Sequence, residues 1–332
     1  MAHADFPIWV VQVAVDTEVD KSPTWRTSSP AAFESVRTAV RRDLMPLLER
    51  HGARPTFFVS SEVLEDARSV DVLGSLGERA ELAAHLHADV VAPARRVFNL
   101  DGSMLDDFQT DYDPATEREK LRTLTDLFVR TTGRRPTSFR AGRWAAGAQT
   151  LDALEVLGYR VDSSVAPLDV RRHRDNIIDY TLAPWQPYHP ARDDHRSIGD
   201  RAILEVPHTV VAIPLVAALR RSLPMTHLGR LLPLRWLNPS RMSAAHMIRT
   251  ALILERSCRG ARRLSVNVSF HSFELLPGRS PYAQTPGEQR RWFAALEGFL
   301  RFARENRTVI FATLGEMPEA FAGCEWTRTP WG

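Results

Sequence analysis

Lysine is nearly missing from this chain. Lys21 and Lys120 are the only two, so almost all of the 43 basic residues are arginine. That bias could serve bidentate anion recognition, but a GC-rich coding bias accounts for it more simply. Charge of one sign is also missing: 40 acidic residues leave a net +3 and a sequence pI near 9.1, a weak lever for nucleic acid. No nucleic-acid partner is expected. Cysteine is scarce, and Cys258 and Cys324 do not form a ligand spacing. A disulfide between them stays open, with a reduced intracellular chain as the expectation. No apolar run approaches the ~18 to 20 residues that cross a bilayer; Val210 to Leu219 is too short and is broken by Pro214. The stretch Met1 to Asp5 lacks a basic region followed by an apolar one, so no secretory signal is read and a cytoplasmic protein is expected.

What is present fits a soluble globular protein. Of 332 residues, 44% are hydrophobic and 25% charged, enough for a full core. Strand-like runs alternate with helical ones. Strands are predicted over Ile8 to Val15, Pro55 to Ser60, Glu81 to His85, Thr137 to Ala141, Tyr159 to Ser163, Ala202 to Val206, Leu264 to Phe270 and Thr308 to Thr313. Helices are predicted over Ala31 to Arg50, with Pro46 kinking the last turn, and over Ala115 to Thr132, Thr150 to Leu157, Met242 to Arg259 and Pro286 to Glu305. The repeated β-then-α order implies a parallel sheet closing toward a barrel, with reactive groups at the strands' carboxyl ends. We read 1–332 as one domain with a loop and helix insertion at about 166–245.

Three strand-like runs end in groups able to bind metal or move protons. Val10 to Val15 runs into Asp16-Thr17-Glu18, whose carboxylates share one face of an extended chain. Such a pair can divide into general base and cation ligand; the plain alternative is a solvated acidic loop. Glu81 to Ala84 runs into His85-Leu86-His87, with Asp89 in the same parity, a spacing that suits zinc or a similar divalent ion or else two loop histidines. Leu264 to Val268 leads to Phe270-His271-Ser272-Phe273-Glu274, where His271 could donate a proton to a leaving amine or be a satisfied core histidine. Arg140 is placed to hold Asp16 ionised. Trp144 and Tyr282 could stack on a sugar or simply pack.

The segments Phe139-Arg140-Ala141-Gly142-Arg143-Trp144, Thr150-Leu151 and Leu157-Gly158-Tyr159-Arg160-Val161-Asp162-Ser163-Ser164 resemble the third signature of the polysaccharide deacetylases, the NodB-homology enzymes of carbohydrate esterase family 4. Val15-Asp16-Thr17-Glu18, Ala84-His85-Leu86-His87 and Phe270-His271-Ser272-Phe273-Glu274 fall in that family's motif order. Leu204-Glu205-Val206-Pro207 and Ser280-Pro281-Tyr282 are similar to a variant branch.

The resemblance implies a distorted (β/α)7 barrel and metal-dependent removal of acetyl from an N-acetylated sugar. It implies Asp16 as base, Arg140 as its orienting partner, His271 as acid, His85 as a metal ligand and a carbohydrate partner. Two departures stand out. Thr17 occupies the usual second aspartate, so Glu18 must substitute. The second histidine is His87 rather than a residue at position 89, which is Asp89. The expected ligand set is Glu18, His85 and His87, with Asp89 as replacement should His87 point away; the expected ion is zinc. Two other readings stay open: a metal-independent amide hydrolase of a small nitrogenous substrate on the same fold, and a catalytically silent carbohydrate-binding barrel. The stretch Val210 to Arg235, with Arg220, Arg221, Arg230 and Arg235 among apolar residues, could rest on an anionic membrane or simply cover the barrel.

Overall fold

A computed structural model describes residues 6–27, 30–95, 108–173, 176–212, 234–240 and 242–324. The strands are β1 (Ile8–Thr17), β2 (Pro55–Val59), β3 (Glu81–Leu86), β4 (Ser138–Ala141), β5 (Val161–Asp162), β6 (Val170–His173), β7 (Asn176–Asp179), β8 (Leu204–Glu205), β9 (Val210–Val211), β10 (Arg235–Trp236), β11 (Arg263–His271) and β12 (Val309–Phe311). One sheet runs in the order β11-β1-β2-β3-β4-β5-β8, parallel throughout. β12 also pairs with β1, at Trp9 to Val11, while β2 pairs at Val13 to Thr17. Two strands therefore share one edge of β1, and β11 runs along the other. The sheet curls into a distorted (β/α)7 barrel, the fold the family resemblance implies; the alternation of strands and helices by itself predicts a parallel sheet closing toward a barrel.

Period-two alternation fixes which side chains face inward. Trp9, Val11, Val13 and Val15 of β1 pack in the large outer core with the helices, including Phe299 and Leu296. Val10 and Ala14 pack inside the barrel with Phe58, Ala83, Val161, Leu204 and Leu314. Continuing that inner row gives Gln12, Asp16 and then Glu18. β11 behaves alike: Leu264, Val266, Val268 and Phe270 belong to the outer core. Its inner row is Ser265, Asn267, Ser269 and His271. The barrel's polar groups are thus set by residue parity.

Between β8 and β11 side chains make the connection. The amide of Gln186 accepts from Ser265 N at 2.7 Å and donates to Ser265 O at 3.3 Å, and Asn267 N donates to Thr209 Oγ1 at 2.9 Å.

Several predicted elements are corrected. The helix expected from Ala31 begins at Ser35 as ten π-helical residues and becomes α-helical only at Met45–His51. Met45 N–H bonds Val40 O, a wide turn, and Pro46 opens the regular helix instead of kinking its end, because its missing N–H costs nothing there. Two short helices, Ser61–Leu64 and Ala67–Gly74, were not anticipated; the second is capped by Asp66, which accepts from Ser69 N. The strands expected over Tyr159 to Ser163 and Ala202 to Val206 pair over two residues each.

The region expected to be loop contains the antiparallel hairpin β6–β7, and β9 pairs with β10 beside it. Most of the amphipathic stretch proposed for a membrane, 213–233, lies outside the described residues. Among the described residues, no helix is long and apolar enough to cross a membrane. Cys258 and Cys324 are unpaired.

Candidate active site

β1 and β11 end side by side, and register alone makes Asp16 and His271 cross-strand partners. Beyond them Ser272 locks the two strand ends together. Its hydroxyl accepts from Glu18 N at 3.2 Å and lies 3.3 Å from Glu18 O. β3 and β4 are joined the same way, with His85 opposite Arg140. These ends open into a cavity of about 730 Å³ lined by Asp16, Glu18, His85, His87 and His271, with Trp144 and Tyr282 on its walls. That size is ordinary for a small-ligand site.

Arg140 lies fully buried on the inner face of β4. Its Nη1 donates to Asp16 Oδ1 at 2.6 Å, its Nε to Ser163 O at 3.0 Å and its Nη2 to Ser163 Oγ at 3.0 Å. The Phe58 ring lies 4.1 Å beneath the guanidinium. Burial alone would raise the Asp16 pKa, but Arg140, helped by His85 and His271, pulls it below its usual value. Asp16 is held ionised.

Glu18, His85 and His87 converge, with donor atoms within 4.8 Å of one another. Glu18 Oε1 is 3.3 Å from His85 Nε2 and 3.1 Å from His87 Nε2. The carbonyl of Arg140 can only accept, and His85 Nδ1 lies 2.9 Å from it. Nδ1 therefore carries a proton, which in the neutral ring turns the Nε2 lone pair toward Glu18. Lone pairs facing a carboxylate across such distances repel unless a cation or proton stands between them. This donor set fits a divalent metal, and the carbonyl partner is the orienting contact that ligating histidines use.

Lys21 is buried and bonds the other oxygen, Glu18 Oε2, with the Trp25 and Phe273 rings 5.7 and 5.2 Å from its Nζ. Burial raises the Glu18 pKa, but Lys21 and the two histidines take it well below the ordinary value.

Asp89, offered as a replacement ligand, is used elsewhere: Arg143 Nη1 and Nη2 reach its oxygens at 3.2 and 3.3 Å. His87 points into the cluster, so the replacement does not arise.

His271 Nδ1 donates to Glu274 Oε1 at 2.9 Å, and the same oxygen accepts His271 N–H at 3.1 Å. Glu274 is held in turn by the Ser240 hydroxyl and by Trp292 Nε1 at 3.3 Å. Burial would lower the His271 pKa, but the Glu274 bond and the charges of Glu18, Glu274 and Asp16 raise it overall. With Nδ1 engaged, Nε2 is the nitrogen left for a ligand. Ser163 and Glu274 lie inside the motif segments, where the sequence assigns them no role, and Lys21 lies outside them; each acts through a turn or a neighbouring strand.

The aromatic residues divide. Tyr282 stands 6.0 Å from Trp25, itself 5.3 Å from the His271 ring. Trp144 has the Arg171 guanidinium 4.1 Å over its ring, and its Nε1 donates to His208 Nε2 at 2.9 Å. Burial and the charge of Arg140 depress the His208 pKa, keeping that ring neutral.

The curled parallel sheet gives the chain the barrel fold of solved structures named as polysaccharide deacetylases. Among solved structures the chain is similar to a protein of Mycobacterium smegmatis named as a polysaccharide deacetylase, with 18% identity over 99% of this chain and 96% of that one, TM-score 0.56. A second so named, from Pseudomonas aeruginosa PAO1, has 15% identity over 95% and 90%, TM-score 0.53. The Puue allantoinase has 13% identity over 97% and 92%, TM-score 0.54. At such identities the likeness carries the fold. No protein-family model and no curated protein matches the sequence.

Proposed function

We propose that the chain is one catalytic domain that removes acetyl groups from an N-acetylated sugar of a polysaccharide or a cytoplasmic glycan precursor. The observation that carries this reading is the pairing of Asp16 with His271 across β1 and β11, at the cavity where Glu18, His85 and His87 converge. A divalent cation held by those three residues, zinc being the expected ion, would supply carbonyl polarisation and a more acidic water. Asp16, kept ionised by Arg140, takes a proton from the attacking water as its oxygen bonds to the acetyl carbon. His271 gives its Nε2 proton to the nitrogen as the C–N bond breaks, because an amide nitrogen leaves only when protonated. Acetate and a free amine result. Trp25 and Tyr282 are the apolar surface for the sugar ring, and Trp144 also lines the cavity. Asn238 also lines the cavity, and its buried Oδ1 has no partner among the described residues, leaving an acceptor for a substrate N–H or O–H.

Asp16→Asn and His271→Ala are each expected to lower turnover ~10²- to 10⁴-fold, the usual worth of positioned acid–base groups. Circular dichroism should stay unchanged. Near-normal turnover in either variant rejects the assigned roles.

A second reading has its own observation: the Lys21 ammonium already bonds Glu18. It is a metal-independent amide hydrolase of a small nitrogenous substrate, in line with the name of the allantoinase neighbour. Thermal unfolding separates the two. Zinc at about a hundred times its dissociation constant should stabilise the protein by ~2.7 kcal/mol, and Glu18→Gln should abolish that gain. No zinc-dependent rise, with activity intact in chelator, selects the metal-free reading. A protein that binds sugar yet turns over no substrate would be the silent barrel.

A further inference from the structure

The cavity is chemically divided. Its floor holds the carboxylates with His85, His87 and His271, whereas the wall formed by the β6–β7 hairpin and the turn after β4 contributes Arg143, Arg171, Arg172 and His173 and, among the described residues, no carboxylate. His173 is committed to Asp111, 2.6 Å from its Nδ1. Arg143 is committed to Asp89. Arg171 is held differently: its Nε donates to Asp169 Oδ2 at 2.7 Å, and its guanidinium lies 4.1 Å from the Trp144 ring centre and 5.9 Å from that of Trp236. Neither Nη nitrogen bonds a protein atom among the described residues. Stacking fixes the plane of this fork, so little freedom remains to be lost when a ligand oxyanion takes it. Arg172, the next residue, is exposed at the rim and pairs with no carboxylate among the described residues. A solvated arginine face would not require one guanidinium to be stacked within the cavity on two tryptophans.

We propose that this wall binds a phosphate or carboxylate on the sugar, making the substrate an acidic N-acetylated sugar or a phosphate-bearing precursor. The inference rests on the amide-hydrolase reading for the acetyl end of the same cavity.

Calorimetric titration of the full chain with N-acetylglucosamine, N-acetylglucosamine 1-phosphate and N-acetylmuramic acid tests it. At least one charged sugar should bind roughly tenfold or more tightly than the neutral one, the worth of one charge-assisted hydrogen bond. That advantage should shrink as salt rises. Preference for the first charged sugar assigns phosphate, and for the second carboxylate. Arg171→Ala with Arg172→Ala should bring the ratio toward one, and Arg172→Lys should keep part of it. Equal affinity for all three sugars in the unmodified protein overturns the proposal even if the variants fail to fold. So does a preference that survives in the folded double variant. Tight binding of a charged sugar without acetate release would instead sink the hydrolase reading and leave this one standing.

Discussion

Arg140 and His271 show how single side chains set the protonation of the site. Arg140 exchanges its hydration for Asp16, Ser163 and the Phe58 ring. Removing one partner of such a buried pair typically costs ~3–5 kcal/mol, because the other charge is stranded. His271 is tuned by Glu274. As the proposed proton donor it would work while protonated, so turnover should fall as pH climbs through its raised pKa. Glu274→Gln removes the carboxylate that does much of the raising, and the alkaline limb should move to lower pH in a kcat-against-pH profile. An unmoved limb would assign that titration to another group. Asp16, Arg140 and His271 were legible because strand-end parity and motif order both single them out. Glu274 was visible only as a neighbour in the chain: the one-turn 3₁₀ helix Ser272–Leu275 folds it back onto His271, and nothing in residue type announces that turn. Lys21 needed the chain reversal recorded by the bridge between Lys21 and Thr27.

Strands were read well where apolar alternation is long, as in β1 and β11, and less well where pairing is short. β5 and β8 pair over two residues each; on the other edge of β8, Tyr188 and Glu205 exchange backbone bonds at 3.0 and 2.9 Å. The turn after β4 is the element most finely fitted. A Cβ on Gly142 would sit 2.7 Å from Leu86 O and 3.0 Å from His87 Nδ1, so glycine lets β4 end against the histidine pair. Arg143 and Trp144 follow with φ of 57° and 58°, a left-handed conformation costing ~1–2 kcal/mol for each residue with a side chain. The Asp89 ion pair and the His208 hydrogen bond hold them there. Gly142→Ala should displace His87 and weaken zinc binding by at least tenfold in a competitive chelator titration, while Gly74→Ala, with open space at its Cβ, should not. Equal affinities in both variants would remove His87 from the ligand set.

At the scale of the molecule, strand order could not be read from the sequence, since nothing in β12 says that it joins β1 at the end β2 leaves open. The Asp162–Glu205 pair has the same origin. Register brings the two carboxyls together, facing away from the barrel's interior, with Val165 N donating to Glu205 Oε1 at 3.0 Å. Burial and the adjacent Asp162 push the Glu205 pKa well above its ordinary 4.5, so one proton stays between them. The folded chain then holds a proton that the unfolded chain releases above pH 4.5, and this pair's contribution to stability declines as pH rises from that value. Glu205→Gln should flatten that decline in urea unfolding measured from acid to neutral pH. Parallel curves for the two proteins would mean that Glu205 ionises in the fold.

Ser272 clasps Glu18 across 254 residues of chain. A nascent polypeptide that has made β1 through β8 would hold Asp16, Arg140 and the histidine pair but not His271, so on the proposed mechanism it would have a base and no proton donor. On that mechanism chemistry would wait until β11 pairs along the first strand, a contact between distant parts of the chain of the kind whose loop closure must come before its reward.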